Sequence, residues 1–177
     1  MPHKPIPSLP HPLLIGLMGC GKSSIGRRLA KRLAMPLIDL DELIVERAGS
    51  SIPDIFAQFG EDYFRDLESK MLHEVIGKQA IIATGGGVVL REANRNLLKA
   101  HWPVIWLKAP PEFLAERITG DTNRPLIANQ DALQKLTTLA AERYPLYAAC
   151  ADLLIARDDM NKDDITTLII DFMEKMP

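Results

Sequence analysis

The sequence predicts an α/β domain in which helices flank both faces of a parallel sheet. Short runs that are apolar throughout, as strands buried on both faces require, alternate with longer segments of helical periodicity. A glycine-rich stretch that resembles a phosphate-binding loop lies between the first apolar run and the first helical segment. Because strand–helix alternation implies right-handed crossovers, the sheet is expected to be doubly wound.

The individual elements follow from these patterns. Ile25, Leu29 and Leu33 recur at intervals of four residues and give the first helix one apolar face. Pro110 and Pro111 favour the start of another helix, since proline is tolerated in a first turn. The predicted strands are 13–15, 37–38, 80–83, 104–107 and 153–155, and the predicted helices lie around 25–33, 64–75, 110–117, 131–147 and 163–175.

Length, composition and charge indicate a single globular domain and argue against two classes of partner. The 177 residues suit one domain, and 47% of them are hydrophobic while 25% are charged, as is usual for globular proteins. Lys and Arg number 21 against 23 Asp and Glu, a net charge of −2 that argues against a nucleic-acid partner. No apolar run approaches the roughly 18 residues of a membrane span, so no membrane partner is expected.

The domain boundaries and cellular setting are also open to prediction. Residues 1–12 contain five prolines and no apolar segment of the signal-peptide kind, so an extended or disordered lead-in is expected before one domain at 13–177. Two cysteines, Cys20 and Cys150, are too few for a disulfide scaffold and favour a reducing, cytoplasmic location. We expect a monomer, since the sequence reveals no large exposed apolar patch.

The glycine-rich stretch at residues 16–23, called here the phosphate loop, matches the pattern G-x-x-x-x-G-K-[ST]. Its glycines let successive backbone N–H groups face an anion, and the following helix N-terminus adds partial positive charge. Lys22 is expected to reach the β- and γ-phosphates, and the Ser23 hydroxyl to bind Mg²⁺. Cys20 is interpreted as a small residue that the loop tolerates. The predicted nucleotide contacts in this loop are Gly19, Cys20, Gly21, Lys22, Ser23 and Ser24.

The rest of the chain narrows the kind of nucleotide-dependent protein. No Asn-Lys-x-Asp guanine-recognition motif follows the later strands, which disfavours a GTPase. A chain of 177 residues leaves little room for a motor or a ring ATPase module. A small-molecule kinase is therefore favoured.

Two carboxylates, Asp39 and Asp41, are predicted at the end of the second strand, and alternation places both on the same side of it. One can support Mg²⁺ through water, and the other can orient or deprotonate an acceptor hydroxyl. The alternative is that Asp41 caps a helix that starts near Glu42.

Several arginines could bind anions. Arg65 and Glu68 are spaced i, i+3 on a helix, which fits either a surface ion pair or an anion-binding arginine held by Glu68. Arg143 near a helix end suits bidentate recognition of a carboxylate, or it is simply solvated. Arg124 lies in the polar segment 120–129, where a mobile lid would close over a phosphate, and Arg117 would join it or face water.

Together these motifs resemble the shikimate kinase family. The likeness covers about residues 13–174, and the motifs occur in the family's order. They are Gly-Cys-Gly-Lys-Ser-Ser at 19–24, Asp-Leu-Asp at 39–41, Gly-Glu at 60–61, Phe-Arg-Asp-Leu-Glu at 64–68, Gly-Gly-Gly at 85–87, Arg-Pro-Leu at 124–126 and Arg-Tyr-Pro-Leu-Tyr at 143–147.

The resemblance implies a P-loop NTPase-type three-layer sandwich with a five-stranded parallel sheet of order 2-3-1-4-5. The substrate-binding segment would span about 41–74 and the lid about 118–130. On the nucleotide side, Lys22 would hold the transferred phosphate, Ser23 would bind Mg²⁺ and Asp39 would assist it through water. Arg124 and Arg117 would contact ATP. The segment 156–160 would flank adenine, and Arg157 is the candidate residue within it.

On the acceptor side, the resemblance implies that Asp41 binds the acceptor hydroxyls and acts as the base. Arg65 and Arg143 would clamp the carboxylate of shikimate, and Gly85, Gly86 and Gly87 would line the acceptor site. The implied reaction is ATP-dependent phosphorylation of the shikimate 3-hydroxyl, giving shikimate 3-phosphate and ADP on the route to chorismate and aromatic amino acids. The alternatives are a kinase for another polyol acid such as gluconate, and a nucleotide-dependent binding module without catalysis.

Overall fold

A five-stranded parallel sheet of order β2-β3-β1-β4-β5 forms the centre of the fold. The computed structural model describes residues 10–118, 131–157 and 160–175, so most of the predicted lead-in and lid, Arg124 included, lies outside the described residues. The strands are β1 (Leu13–Ile15), β2 (Leu37–Asp39), β3 (Ile81–Ala83), β4 (Val104–Lys108) and β5 (Leu153–Ala156). The predicted fold class and strand order are confirmed.

Eight helices connect and flank these strands within the described part of the chain. Helix α1 packs against α8 and the first three strands, whereas α5 packs against α4 and α7. No described helix has the length and apolarity that crossing a membrane requires. The helices are α1 (Lys22–Leu33), α2 (Leu40–Ala48), α3 (Ile52–Phe59), α4 (Glu61–Val75), α5 (Glu92–Ala100), α6 (Pro111–Ile118), α7 (Ala132–Cys150) and α8 (Lys162–Lys175).

Helices α3 and α5 were not predicted from periodicity. They have 8 and 9 residues, about two turns, which is shorter than the roughly 11–18 residues over which a helical repeat is recognised in a sequence. Short helices depend on caps and tertiary packing rather than on propensity. In α3 the Ser51 hydroxyl accepts a 3.2 Å hydrogen bond from the Asp54 N–H, and Ile55 is buried.

The junction of β2 and α2 corrects the prediction for the two carboxylates. The strand ends at Asp39 and the helix begins at Leu40, so Asp39 and Asp41 do not share a strand. The cap is Asp39 rather than Asp41, because its Oδ1 accepts a 3.2 Å hydrogen bond from the Glu42 N–H. Asp41 lies in the first turn of α2.

The sheet has its topological switch point at β1. Leu13 is in register with Ile82 of β3 on one side and with Val104 of β4 on the other. The chain passes from β3 to β4 across β1, and ligands bind at the carboxyl ends of parallel strands at such a point. The phosphate loop follows β1 and residues 84–87 follow β3, so the topology brings both to this edge.

Candidate active site

The phosphate loop connects β1 to α1 and is shaped by its glycines. Gly19 and Gly21 have φ angles of 84° and 99°, in the left-handed region where other residues are strained. The Cys20 side chain is completely buried rather than directed toward a ligand. The loop therefore offers backbone rather than side chains at its tip.

Lys22 is folded into this loop. Its Nζ donates hydrogen bonds to the carbonyl oxygens of Gly16 at 2.5 Å and Leu17 at 3.1 Å, and the residue is buried. Its Nζ also lies 3.7 Å from Sγ of Cys20. These contacts hold a positive charge beside the anion-binding backbone.

Ser23 and Asp39 join the phosphate loop to the end of β2. The Ser23 hydroxyl donates a hydrogen bond to Oδ2 of Asp39. Hydroxyl and carboxylate oxygens are the donors that Mg²⁺ prefers, so the pair fits this ion. No group of three or more His, Cys, Asp or Glu residues suited to a metal occurs within residues 10–118, 131–157 and 160–175. A metal here would complete its coordination with phosphate or water oxygens.

A cleft of about 230 Å³ opens beside these groups. Three of its lining residues, Arg27, Thr84 and Ile118, were not predicted as site residues. Arg27 lies one turn after Ser23 on α1, and Thr84 directly follows β3 and precedes Gly85. Their positions next to the phosphate loop and the three glycines were the sequence signals that could have identified them. The cleft is lined by Gly19, Gly21, Lys22, Ser23, Ser24, Arg27, Asp39, Asp41, Thr84, Gly85, Gly86, Arg117 and Ile118.

Gly85, Gly86 and Gly87, called here the glycine triplet, make room for the charged side chains around them. A Cβ on Gly85 would lie 2.8 Å from Oδ1 of Asp41, and one on Gly86 would lie 3.4 Å from Nη1 of Arg143. A Cβ on Gly87 would lie only 2.2 Å from Nη1 of Arg65. The triplet is therefore the surface against which both arginines and Asp41 are packed.

Arg65 and Arg143 are buried guanidinium groups, 6% and 2% exposed. Arg65 donates from Nη1 to Oε1 of Glu68 at 2.9 Å. Nε of Arg65 and both Nε and Nη1 of Arg143 are buried and have no hydrogen-bond partner among the residues that the structure describes. Buried charged donors without partners are costly, so their arrangement fits an anionic ligand that satisfies them.

Glu68 and Tyr147 set the surroundings of this pair. Burial raises the pKa of the Glu68 carboxyl, against the opposing effect of the Arg65 guanidinium. Burial also raises the pKa of the Tyr147 phenol, which stays protonated and donates a hydrogen bond to the Gly86 carbonyl. Tyr147 thus fixes the backbone of the glycine triplet beside Arg143.

The outer end of the cleft is rich in cations. The guanidinium of Arg117 lies 5.4 Å from the ring centroid of Phe113, and that of Arg157 lies 5.6 Å from it. Burial, together with the charges of Arg117, Arg157, Arg28 and Arg27, lowers the pKa of the Lys162 ammonium. Such crowding of like charges favours a highly anionic ligand.

Comparison with known proteins identifies the family. The sequence model described as "SKI: Shikimate kinase" matches residues 18–174. The chain belongs to the shikimate kinase family. Its relatives include the shikimate kinase of Symbiobacterium thermophilum, which is 42% identical over 167 residues that cover 93% of this chain and 94% of that protein. Membership of the shikimate kinase family makes the chain a kinase and implies use of ATP.

Solved structures agree with the shikimate kinase family. The shikimate kinase from Acinetobacter baumannii in complex with shikimate has a TM-score of 0.92 and 35% identity, covering 96% of this chain and 97% of that one. A gluconokinase from Sinorhizobium meliloti has a TM-score of 0.57 and 14% identity over 95% of this chain and 93% of that one. The second likeness shows the fold alone and gives no support to gluconate as the substrate.

Proposed function

We propose that this chain transfers the γ-phosphoryl group of ATP to the 3-hydroxyl of shikimate, giving shikimate 3-phosphate and ADP. The observation that carries the proposal is the pair of buried guanidiniums, Arg65 and Arg143, with unpartnered N–H donors beside the glycine triplet. The relatives named above are shikimate kinases, and one was solved with shikimate bound.

The acceptor is held by its carboxylate. Arg65 and Arg143 supply charged N–H donors, and an Arg–carboxylate hydrogen bond is roughly twice as strong as a neutral one. Asp41 lies within the same group of residues, since its Oδ1 faces Gly85. It is placed to accept hydrogen bonds from the hydroxyls of a substrate whose carboxylate is held by the arginines.

The phosphates are held by the phosphate loop and the cations around it. The ammonium of Lys22 and the backbone N–H groups at 19–24 bind the β- and γ-phosphates. Ser23 would hold Mg²⁺ and Asp39 would assist it through water, and the ion would supply positive charge that neutralises the phosphates. Arg117, which lines the cleft, and Arg124 of the lid add further positive charge.

The reaction follows from these positions. The 3-hydroxyl oxygen forms a bond to the γ-phosphorus while the bond from that phosphorus to the β–γ bridging oxygen breaks, and ADP leaves. The hydroxyl proton passes to Asp41. Lys22 and the loop amides stabilise negative charge on the transferred group, so the protein contributes positioning and charge rather than covalent chemistry.

The proposal includes the setting of the enzyme. It is a cytoplasmic monomer with a small-molecule substrate and no nucleic-acid or membrane partner. The net charge of −2 argues against a nucleic-acid partner, and two free, buried cysteines favour a reducing compartment such as the cytoplasm. The substrate-binding segment at about 41–74, which holds Asp41 and Arg65, and the lid at about 118–130 form parts of one domain after the lead-in at 1–12.

A coupled assay of ADP release tests the proposal, with shikimate and gluconate each measured with and without Mg²⁺. We expect turnover only with shikimate and Mg²⁺, loss of shikimate binding in Arg65→Ala and loss of transfer in folded Lys22→Ala. Arg91→Ala removes a partly exposed arginine that pairs with Asp66 and is the matched control. Turnover with gluconate but not with shikimate would make gluconate the substrate. If neither acid supports ADP release, a nucleotide-binding module without catalysis is favoured.

A further inference from the structure

Arg157 reaches from the end of β5 to the phosphate loop. Its backbone N–H donates a 2.5 Å hydrogen bond to the Lys108 carbonyl and so extends the pairing of β5 with β4. Its side chain is 5% exposed, although arginine is almost never buried without a specific partner. The partner is the loop itself, because Nε donates a 3.2 Å hydrogen bond to the Cys20 carbonyl oxygen.

We infer that Arg157 is a positioning residue of the nucleotide site, which holds the peptide group between Cys20 and Gly21 so that the Gly21 N–H faces the phosphates. The C=O and N–H of a trans peptide point in opposite directions. Because Arg157 holds the Cys20 carbonyl on its own side, the Gly21 N–H is turned away from it. Gly21 lines the cleft, so this direction supplies one N–H donor to the anion. The inference rests on the proposed function for the identity of the anion, which is the phosphate chain of the nucleotide.

The peptide needs such a restraint. Gly21 has φ of 99°, and glycine adopts positive and negative φ with similar ease, so rotation of this peptide meets little steric resistance. Cys20 is fixed on its other side, because its side chain is buried and its N–H donates to the Leu17 carbonyl at 3.2 Å. A rotated peptide would present a carbonyl oxygen to the phosphates, which repels them.

The guanidinium is itself held in place by two further contacts. Nη1 donates to the Met160 carbonyl at 3.4 Å, and the group lies 5.6 Å from the ring centroid of Phe113. Its Nε and Nη2 lie 3.6 and 3.7 Å from where a Cβ on Gly21 would be. A lysine ammonium retains the charge but not the planar fork that reaches Cys20 and Met160 together.

The test measures ADP binding by calorimetry and the KM values for ATP and shikimate in Arg157→Met and Arg157→Lys. We expect both variants to raise the ADP Kd and the ATP KM about fivefold to tenfold, as loss of one hydrogen bond would. The shikimate KM and the thermal unfolding midpoint should stay unchanged, and the Gly21 amide resonance should move in both. The control Arg32→Met removes an exposed cation of α1 that donates to the Thr167 hydroxyl outside the cleft, and it should leave the ADP Kd within about twofold.

Three outcomes would overturn the inference. An ADP Kd that stays at the wild-type value in both variants would show that the contact positions nothing. Recovery of wild-type affinity in Arg157→Lys would show that only the charge matters. An equal rise of both KM values would point to a general structural effect. If wild-type protein binds ADP but does not phosphorylate shikimate, the proposed function fails, whereas the ADP measurements still decide the role of Arg157.

Discussion

Nη1 of Arg65 donates a 2.9 Å hydrogen bond to Oε1 of Glu68 across one turn of α4, and both side chains are buried. Within the described part of the chain the second oxygen of Glu68 has no hydrogen-bond partner, and it lies 3.0 Å from the position that a Cβ on Gly85 would take. Glu68 thus holds the Arg65 guanidinium in place next to the glycine triplet of the candidate acceptor site.

Glu68→Gln tests whether this carboxylate orients Arg65. Gln keeps the size of the side chain and one acceptor oxygen but removes the negative charge. The hydrogen bond from Arg65 therefore falls to about half its strength. We expect the shikimate KM to rise about tenfold and the ATP KM to stay constant. Glu74→Gln is the control, since Glu74 lies on the same helix and pairs with Arg47 at the surface. An equal effect in both variants would contradict the expectation.

Gly87→Ala tests the close approach of Arg65 to the glycine triplet. The added Cβ would lie 2.2 Å from Nη1 and 2.4 Å from Cζ of Arg65, so the guanidinium must move. We expect a loss of at least about tenfold in kcat/KM for shikimate and a lower free energy of unfolding, by about 1–3 kcal/mol. Gly77→Ala is the control, because no atom lies within 4 Å of its added Cβ. Unchanged kinetics in Gly87→Ala would rule out the steric argument.

Arg143→Met separates stability from binding. Among the described residues, two nitrogens of the buried guanidinium have no hydrogen-bond partner, and removing unsatisfied buried donors relieves a desolvation cost to the folded state. We expect the free energy of unfolding to rise by about 1 kcal/mol, a shift of about 2–4 °C in Tm, while shikimate affinity falls at least about 100-fold. Thermal unfolding and calorimetry with shikimate measure the two effects. A variant that is less stable yet still binds shikimate would contradict this.

Asp39→Asn tests the magnesium site. Asn caps helices as well as Asp does, so α2 and the thermal stability should be preserved. Loss of the carboxylate charge next to Ser23 should raise the Mg²⁺ concentration for half-maximal activity about tenfold, which a Mg²⁺ titration at saturating ATP and shikimate measures. An unchanged titration curve would remove Asp39 from the metal site.

Tyr144 gives a dependence of stability on pH. Burial raises the pKa of its phenol from 10.0 to about 12, and its hydroxyl donates to the Ala109 carbonyl. The unfolded chain releases this proton first, so the free energy of unfolding should fall as pH rises from about 10 to about 12. Tyr144→Phe should show a smaller fall across that interval in denaturant unfolding, and about 1 kcal/mol less stability at pH 9. Parallel curves for the two proteins would refute the assignment.

The sequence by itself determined the features that depend on local patterns. The five strands were predicted from apolar runs of two to four consecutive residues, the pattern expected of strands that are covered on both faces of a parallel sheet. The phosphate loop was evident because its glycines, lysine and serine are contiguous. Helices α3 and α5 were missed, since two turns are shorter than the stretch of roughly 11–18 residues over which a helical repeat is recognised.

Only the tertiary structure decided which polar residues share a site. Spacing alone left Arg65 and Glu68 as either a surface ion pair or an anion-binding arginine held by Glu68, and exposures of only 6% and 1% exclude the surface alternative. Arg143 and the glycine triplet meet this pair from elements far apart in the chain. The sheet order places these elements at one edge of the sheet. Packing between them then makes guanidinium N–H groups inaccessible to solvent. Neither effect is encoded in the periodicity of a single segment, because both arise from contacts between segments.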